Sequence, residues 1–184
     1  MDAARGGLGA DGDAGLIPLL DALAALGATT PQRVCRKKLS TTDLNLAQAR
    51  LLIPRANGDV LAAFLTAGEK DEMDSVREER DDYGISRSRC CMDVPVFDRH
   101  GHRYDMMLRC DESGRYYRLI GPGWVQFVRA NGHLAEAMAA MKETGREMEV
   151  ELWAFRSKEL PFRCSKAGCH PDGSLGFAIL VTGA

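Results

Sequence analysis

The sequence predicts a mostly β domain with short helices, a seven-stranded open β-barrel. Three observations carry that reading. Tyr116 to Asn131, YYRLIGPGWVQFVRAN, alternates like a strand through Tyr117 and Leu119 and breaks at Gly121, Pro122 and Gly123. It resumes with Trp124, Phe127 and Val128 at helical spacing. Glu149 to Ser157, EVELWAFRS, places Val150, Leu152 and Ala154 on one face of a strand and Glu149, Glu151, Trp153 and Phe155 on the other. The rest of the chain is short alternating runs split by turn residues, with neither an internal repeat nor βαβ alternation.

The elements follow in order. Residues 1–30, rich in Gly and Ala, read as a flexible N-terminal tail; Leu16 to Leu26 resembles a signal core, but Asp13 and Asp21 flank or interrupt it and only Arg5 precedes it. The domain is expected over 31–184. Arg33 to Leu39 alternates as a half-buried strand, and Ser40, Thr41, Thr42 and Asp43 supply turn chemistry after it. Arg50 to Ile53 is a second strand closed by Pro54. Asp59 can cap a helix through Val60, Leu61, Phe64 and Leu65 that ends before Gly68. An acidic insertion over about 68–90 reads as a solvated excursion. Met92 to Phe97 and Arg103 to Arg109 form a hairpin around Asp98 to Gly101; a turn at Asp111 to Gly114 leads to Arg115 through Ile120. The Trp124 helix follows, then a helix over Leu134 to Lys142, a strand over Met148 to Phe155 and a last strand over Ser174 to Val181.

With 184 residues, 45% hydrophobic and 27% charged, the chain suits one globular domain, and no apolar run reaches the ~20 residues of a membrane span. Its net charge of −2 conceals a pattern. Residues 31–55 carry six basic residues against Asp43, residues 86–130 eight arginines against five acids, and residues 59–85 nine acids against three bases. Without the acidic block the body is basic. Six cysteines, Cys35, Cys90, Cys91, Cys110, Cys164 and Cys169, read as free thiols; Cys164, Cys169 and His170 lack a fourth partner at zinc spacing. No metal or other cofactor is expected. His100, His102, His133 and His170 are not matched with a nucleophile motif, and the glycines of the corner fit no phosphate-loop pattern, so no enzyme activity and no small-molecule substrate is expected. Trp124, Phe127, Trp153 and Phe155 read as core fillers rather than a base-stacking platform. Arg33, Arg36, Lys37 and Lys38 fit either a nuclear-import cluster or a lysine-rich strand edge.

In that order the pieces resemble the plant B3 DNA-binding domain of auxin-response and abscisic-acid-response transcription factors, over roughly residues 33–182. KKLSTTDLN (Lys37 to Asn45), RLLIP (Arg50 to Pro54), YYRLIGPGWVQFVRANG (Tyr116 to Gly132) and EVELWAFRS carry the resemblance. It implies a seven-stranded pseudobarrel that grips the major groove of double-stranded DNA with two arms, here Ser40 to Arg50 and Arg109 to Tyr117. It implies a transcriptional regulator in a plant nucleus that performs no catalysis. The expected contacts are Ser40, Thr41, Thr42, Asn45 and Gln48 to bases or phosphates; Arg50, Arg109, Ser113 and Arg115 on the two arms; and Lys37 and Lys38 as general attraction. The two arms are expected side by side at one rim. Asp111 and Glu112 in the second arm, with the acidic insertion, motivate a rival reading: a B3-like barrel that has lost DNA binding and serves as a protein-interaction module.

Overall fold

The computed structural model describes residues 8, 14–81, 84–89, 91–111, 116–132, 134, 136, 147–161 and 170–182, with 76–81 and 84–89 described as backbone. Its strands are β1 (Gln32–Lys38), β2 (Arg50–Ile53), β3 (Val76–Asp81), β4 (Gly84–Arg89), β5 (Met92–Phe97), β6 (Arg103–Cys110), β7 (Tyr117–Ile120), β8 (Glu149–Ser157) and β9 (Ser174–Thr182). The helices are α1 (Ile17–Ala25), α2 (Gly58–Phe64), α3 (Ala67–Asp74) and α4 (Pro122–Ala130). Seven strands form one sheet in the order β1-β8-β9-β5-β6-β7-β2, antiparallel except for a short parallel β5–β9 pairing. This is the nearly closed barrel that the alternating runs predict. The helix expected from Leu134 lies mostly outside the described residues; Leu134 itself is buried in the core.

The sheet closes on itself without a ladder between β1 and β2, and side chains bridge that seam. Lys37 Nζ donates to the Leu52 carbonyl at 2.8 Å, Leu52 N donates to Asp43 Oδ1 at 3.1 Å, and Asn57 Nδ2 donates to the Val34 carbonyl at 3.3 Å. Edge groups that would otherwise be stranded therefore find partners. The barrel interior holds Val34, Leu51, Ile53, Met106, Leu108, Leu119, Val150, Leu152 and Phe177, and α4 drives Trp124 and Phe127 into it. Those two rings stack at 5.4 Å, and Tyr104 meets Phe127 edge-on at 5.3 Å. The corner before α4 needs its glycines. Gly121 takes φ +108°, and a Cβ on Gly123 would lie 2.1 Å from the Asp105 carbonyl oxygen.

Two expectations are corrected here. The expected tail over 1–30 contains α1, whose Leu19 and Leu23, with Leu16 just before it, are buried against Phe97, Trp153, Phe155, Leu160, Ala178 and Leu180. The outward face of β8 is apolar at Trp153 and Phe155, so it needs a cover; α1 supplies one, and the folded unit begins before Pro31. The acidic insertion is likewise not a simple excursion. Thr66 and Glu69 form a capping box that starts α3, Met73 is buried, and β3 and β4 pair as a separate two-stranded hairpin. Glu69 is drawn inward because Arg156 of β8 grips it with two bonds of 2.7 and 2.8 Å, both side chains being under 10% exposed.

Candidate nucleic-acid interface

The chain leaves β1 at Lys38 and re-enters the sheet at Arg50, and between them Asp43 organises the loop. Its carboxylate accepts from Ser40 N (2.8 Å), Ser40 Oγ (2.6 Å), Lys37 Nζ (2.8 Å) and Leu52 N (3.1 Å). Its carbonyl accepts from Trp124 Nε1 at 2.7 Å. The residue is only 1% exposed, so every acceptor position matters. Leu44, buried beside it, pins the loop to the barrel interior. Ser40, Thr41, Thr42, Asn45 and Gln48 stay exposed around this anchor. The Ser40 and Thr42 hydroxyls lie 2.8 Å apart, and Asn45 Oδ1 accepts from Ala47 N at 3.0 Å. The sequence marked Asp43 only as turn chemistry; its place beneath the hydroxyl-rich run was the signal for more.

Burial pushes the Asp43 carboxyl up, but hydrogen bonds from Lys37 and Ser40 and the Lys37 charge outweigh it and hold the group below its ordinary range. Glu69 shows the same balance, with burial opposed by Arg156 and Thr66. Because both folded pKa values are depressed, the stability these groups contribute is complete above their unfolded values of ~4 and is lost as pH falls through the folded ones. Thermal melts should therefore be level above about pH 5 and decline steeply below about pH 4. In a Glu69→Gln variant that acid-side decline should be shallower; an identical decline would show that Glu69 does not contribute to it.

Lys37 and Lys38, expected as general attractors, are both engaged. Lys37 points inward at the end of the barrel, its side chain 11% exposed, because the register pairs it with buried Val150. A bulge between Arg33 and Cys35 buries Val34 and Cys35 together and turns Arg33, Arg36 and Lys38 outward toward the acids of β8 and the residues just before it. Arg33 pairs with Glu151 at 3.4 Å, Arg36 with Glu149 at 2.6 Å, and Lys38 with Glu147. The basic run of β1 is thus a neutralised edge.

The free cations lie elsewhere. Along β2, β7 and β6 the buried residues alternate with outward ones, and the register sets Arg50 opposite Ile120 and Met107, and Leu52 opposite Arg118 and Arg109. Among the described residues no hydrogen bond or ion pair engages the side chain of Arg50, Arg109 or Arg118. Arg118 was not among the expected contacts, although its alternation with Tyr117 and Leu119 places it outward. Ser113 and Arg115 lie outside the described residues. Asp111, a suspected source of repulsion, directs Oδ1 to Tyr116 N at 3.0 Å.

The strand ends that bound the two loops do not lie side by side at one rim. Arg50 sits at the Ile120 end of the β2–β7 ladder, whereas Cys110 and Tyr117, which bound the second turn, sit at the Ile53 end. The first loop returns along the free edge of β2, through the Asp43 contacts with Leu52. The strand ends that lead into the two loops therefore lie at opposite ends of the outer face that carries the three arginines. Two strands and four residues of ladder span about 10–13 Å, comparable with the ~12 Å width of a DNA major groove.

A family model described as B3 domain-containing protein At2g31720-like matches residues 16–167 of this chain. The chain belongs to that B3 domain-containing family. No curated protein matches it. The B3 match begins at Leu16, so the helix that covers Trp153 lies within the matched region. The B3 domain is generally a non-enzymatic fold of the DNA-binding, transcription-factor type, and the barrel matches it. Among the described residues no helix is long and apolar enough to cross a membrane, and no three His, Cys, Asp or Glu side chains gather as metal ligands. Cys35, Cys91 and Cys110 form no disulfide; burial pushes the Cys35 thiol up to about 11, which disfavours its thiolate.

Proposed function

We propose that this B3 domain reads double-stranded DNA in a sequence-specific way and acts in a plant nucleus as a regulator of transcription. The observation that carries the reading is the outer face of β2, β7 and β6: three arginines without partners among the described residues, lying between the strand ends that lead into two polar loops. Elsewhere on the same sheet outward cations face acids. Arginines left without counterions suit phosphate and guanine, and hydroxyl and amide side chains on the first loop suit base edges. Lys37 acts indirectly, by holding Asp43 and so the shape of that loop.

The test is selection from a random duplex library, followed by polarisation titrations from 50 to 200 mM salt. The intact protein should enrich a motif and bind it with a steep salt dependence. The Arg50→Ala/Arg109→Ala double variant should lower the slope of log K against log salt by roughly 2. Absence of duplex binding by the intact protein at 50 mM salt, with the fold verified by circular dichroism, would end this reading and favour a barrel that recognises protein.

A further inference from the structure

Arg109 of β6 and Arg118 of β7 are direct cross-strand partners on the outward face. Like charges in that position repel and destabilise a sheet. On the β1–β8 side of the barrel the chain avoids this by placing Glu151 and Glu149 opposite Arg36 and Lys38. Here it places an arginine opposite an arginine, with Leu52 on the other flank and Arg50 diagonal to the pair. The acid nearest along β6, Asp111, is directed to Tyr116 N. Arg118 Nε is also buried without an acceptor, one of only two such side-chain atoms among the described residues. Buried donors are ordinarily satisfied, so the orphaned N–H shows that no protein acceptor holds this guanidinium, and the repulsion between the two arginines asks for an oxyanion.

We infer that Arg118, with Arg109, forms a seat for one phosphate oxyanion, the Arg118 guanidinium gripping it through its terminal nitrogens, and that the occupant is a phosphodiester of the bound duplex. This names a contact within the proposed DNA reading and rests on it for the source of the phosphate. A guanidinium presents its donors as a planar fork that matches two phosphate oxygens, whereas lysine offers a point charge. The seat lies on the strands between the ends that lead into the two loops, where one contact fixes how deeply the duplex sits, while the loops choose the bases. Its contribution is the same for every sequence.

The experiment uses the full chain and the Arg118→Leu and Arg118→Lys variants. Arg118→Leu removes a repelled charge, so its Tm should equal or exceed that of the parent. Its salt slope should fall by about 0.9, so that between 50 and 200 mM salt it loses roughly 3.5-fold less affinity than the parent. Affinity should fall by the same factor for the selected motif and for random duplex, and Arg118→Lys should restore the slope but not the affinity. An unchanged slope, or a loss confined to one base position, overturns the seat. A lowered Tm with unchanged affinity does so too. A ¹⁵N spectrum of the arginine Nε–Hε groups separates the sources. A shift of the Arg118 signal on adding duplex supports the phosphodiester. A shift with inorganic phosphate in a protein that binds no duplex upholds the oxyanion seat and overturns DNA as its source. No shift with either overturns the seat itself.

Discussion

Asp43→Ala should lower stability by about 3–5 kcal/mol and abolish discrimination between DNA sequences, while salt-sensitive binding to any duplex persists. The substitution leaves the inward Lys37 ammonium without its counterion and strips an acceptor from Ser40 N, Ser40 Oγ and Leu52 N. Removing one partner of a buried charge pair typically costs that much, because the other charge stays buried and unmatched. For a domain of this size the corresponding fall in Tm is roughly 6–20 °C. The loop loses its anchor, but Arg50, Arg109 and Arg118 sit on strands and keep their places. A second substitution checks the cause. Lys37→Met added to Asp43→Ala should recover a substantial part of the lost stability, since the orphaned charge is then gone. A single Asp43→Ala variant that melts within a degree or two of the parent and selects the same motif would refute the role of Asp43 as anchor.

Arg156→Ala should be as damaging to the fold and far less so to DNA choice. Arg156 binds both oxygens of Glu69 and donates to the carbonyls of Phe64 and Gly173, tying α2, α3 and the start of β9 to the far end of β8. Alanine leaves Glu69 buried and ionised with only the capping-box bonds from Thr66, so a loss of about 3–5 kcal/mol is expected. Amide exchange should locate it: α3 and the residues around Gly173 should lose protection first, while β6 and β7 keep theirs. Replacing both Arg156 and Glu69 by methionine should come close to the parent in stability, because a buried ion pair exchanged for well-packed apolar side chains is often neutral. At a temperature where the Arg156→Ala variant is folded, its selected motif should match the parent's, since the Arg156 end of β8 is remote from the Lys38 end that leads into the first loop. A changed motif would mean that the two ends of the barrel are coupled.

Much of the fold was legible because barrel strands declare themselves locally. Period-two alternation marked β2, β5, β6 and β7 at nearly their observed limits, and the Gly-Pro-Gly-Trp corner marked the start of α4. The misses share one cause. The α1 segment has only a short apolar stripe and no side-chain cap, so nothing local separates it from a tail; it folds because Trp153 and Phe155, well over a hundred residues later, need a cover. Glu69 reads as one acid in an acidic run, and only Arg156 makes it a core residue.

For the interface the division is sharper. The amino-acid order by itself determined a small barrel, membership of the B3 family, a hydroxyl-rich first loop and a surplus of arginine on the body. Tertiary structure decided which cations are available. Lys37 and Lys38 lie in the most basic run of the chain and are both engaged, whereas the side chain of Arg118, inconspicuous between two core residues, has no partner among the described residues. Pairing across strands depends on register, and register is fixed by a bulge at Val34 and by partners more than a hundred positions away. A charge's availability therefore depends on what the fold sets opposite it, and composition cannot supply that.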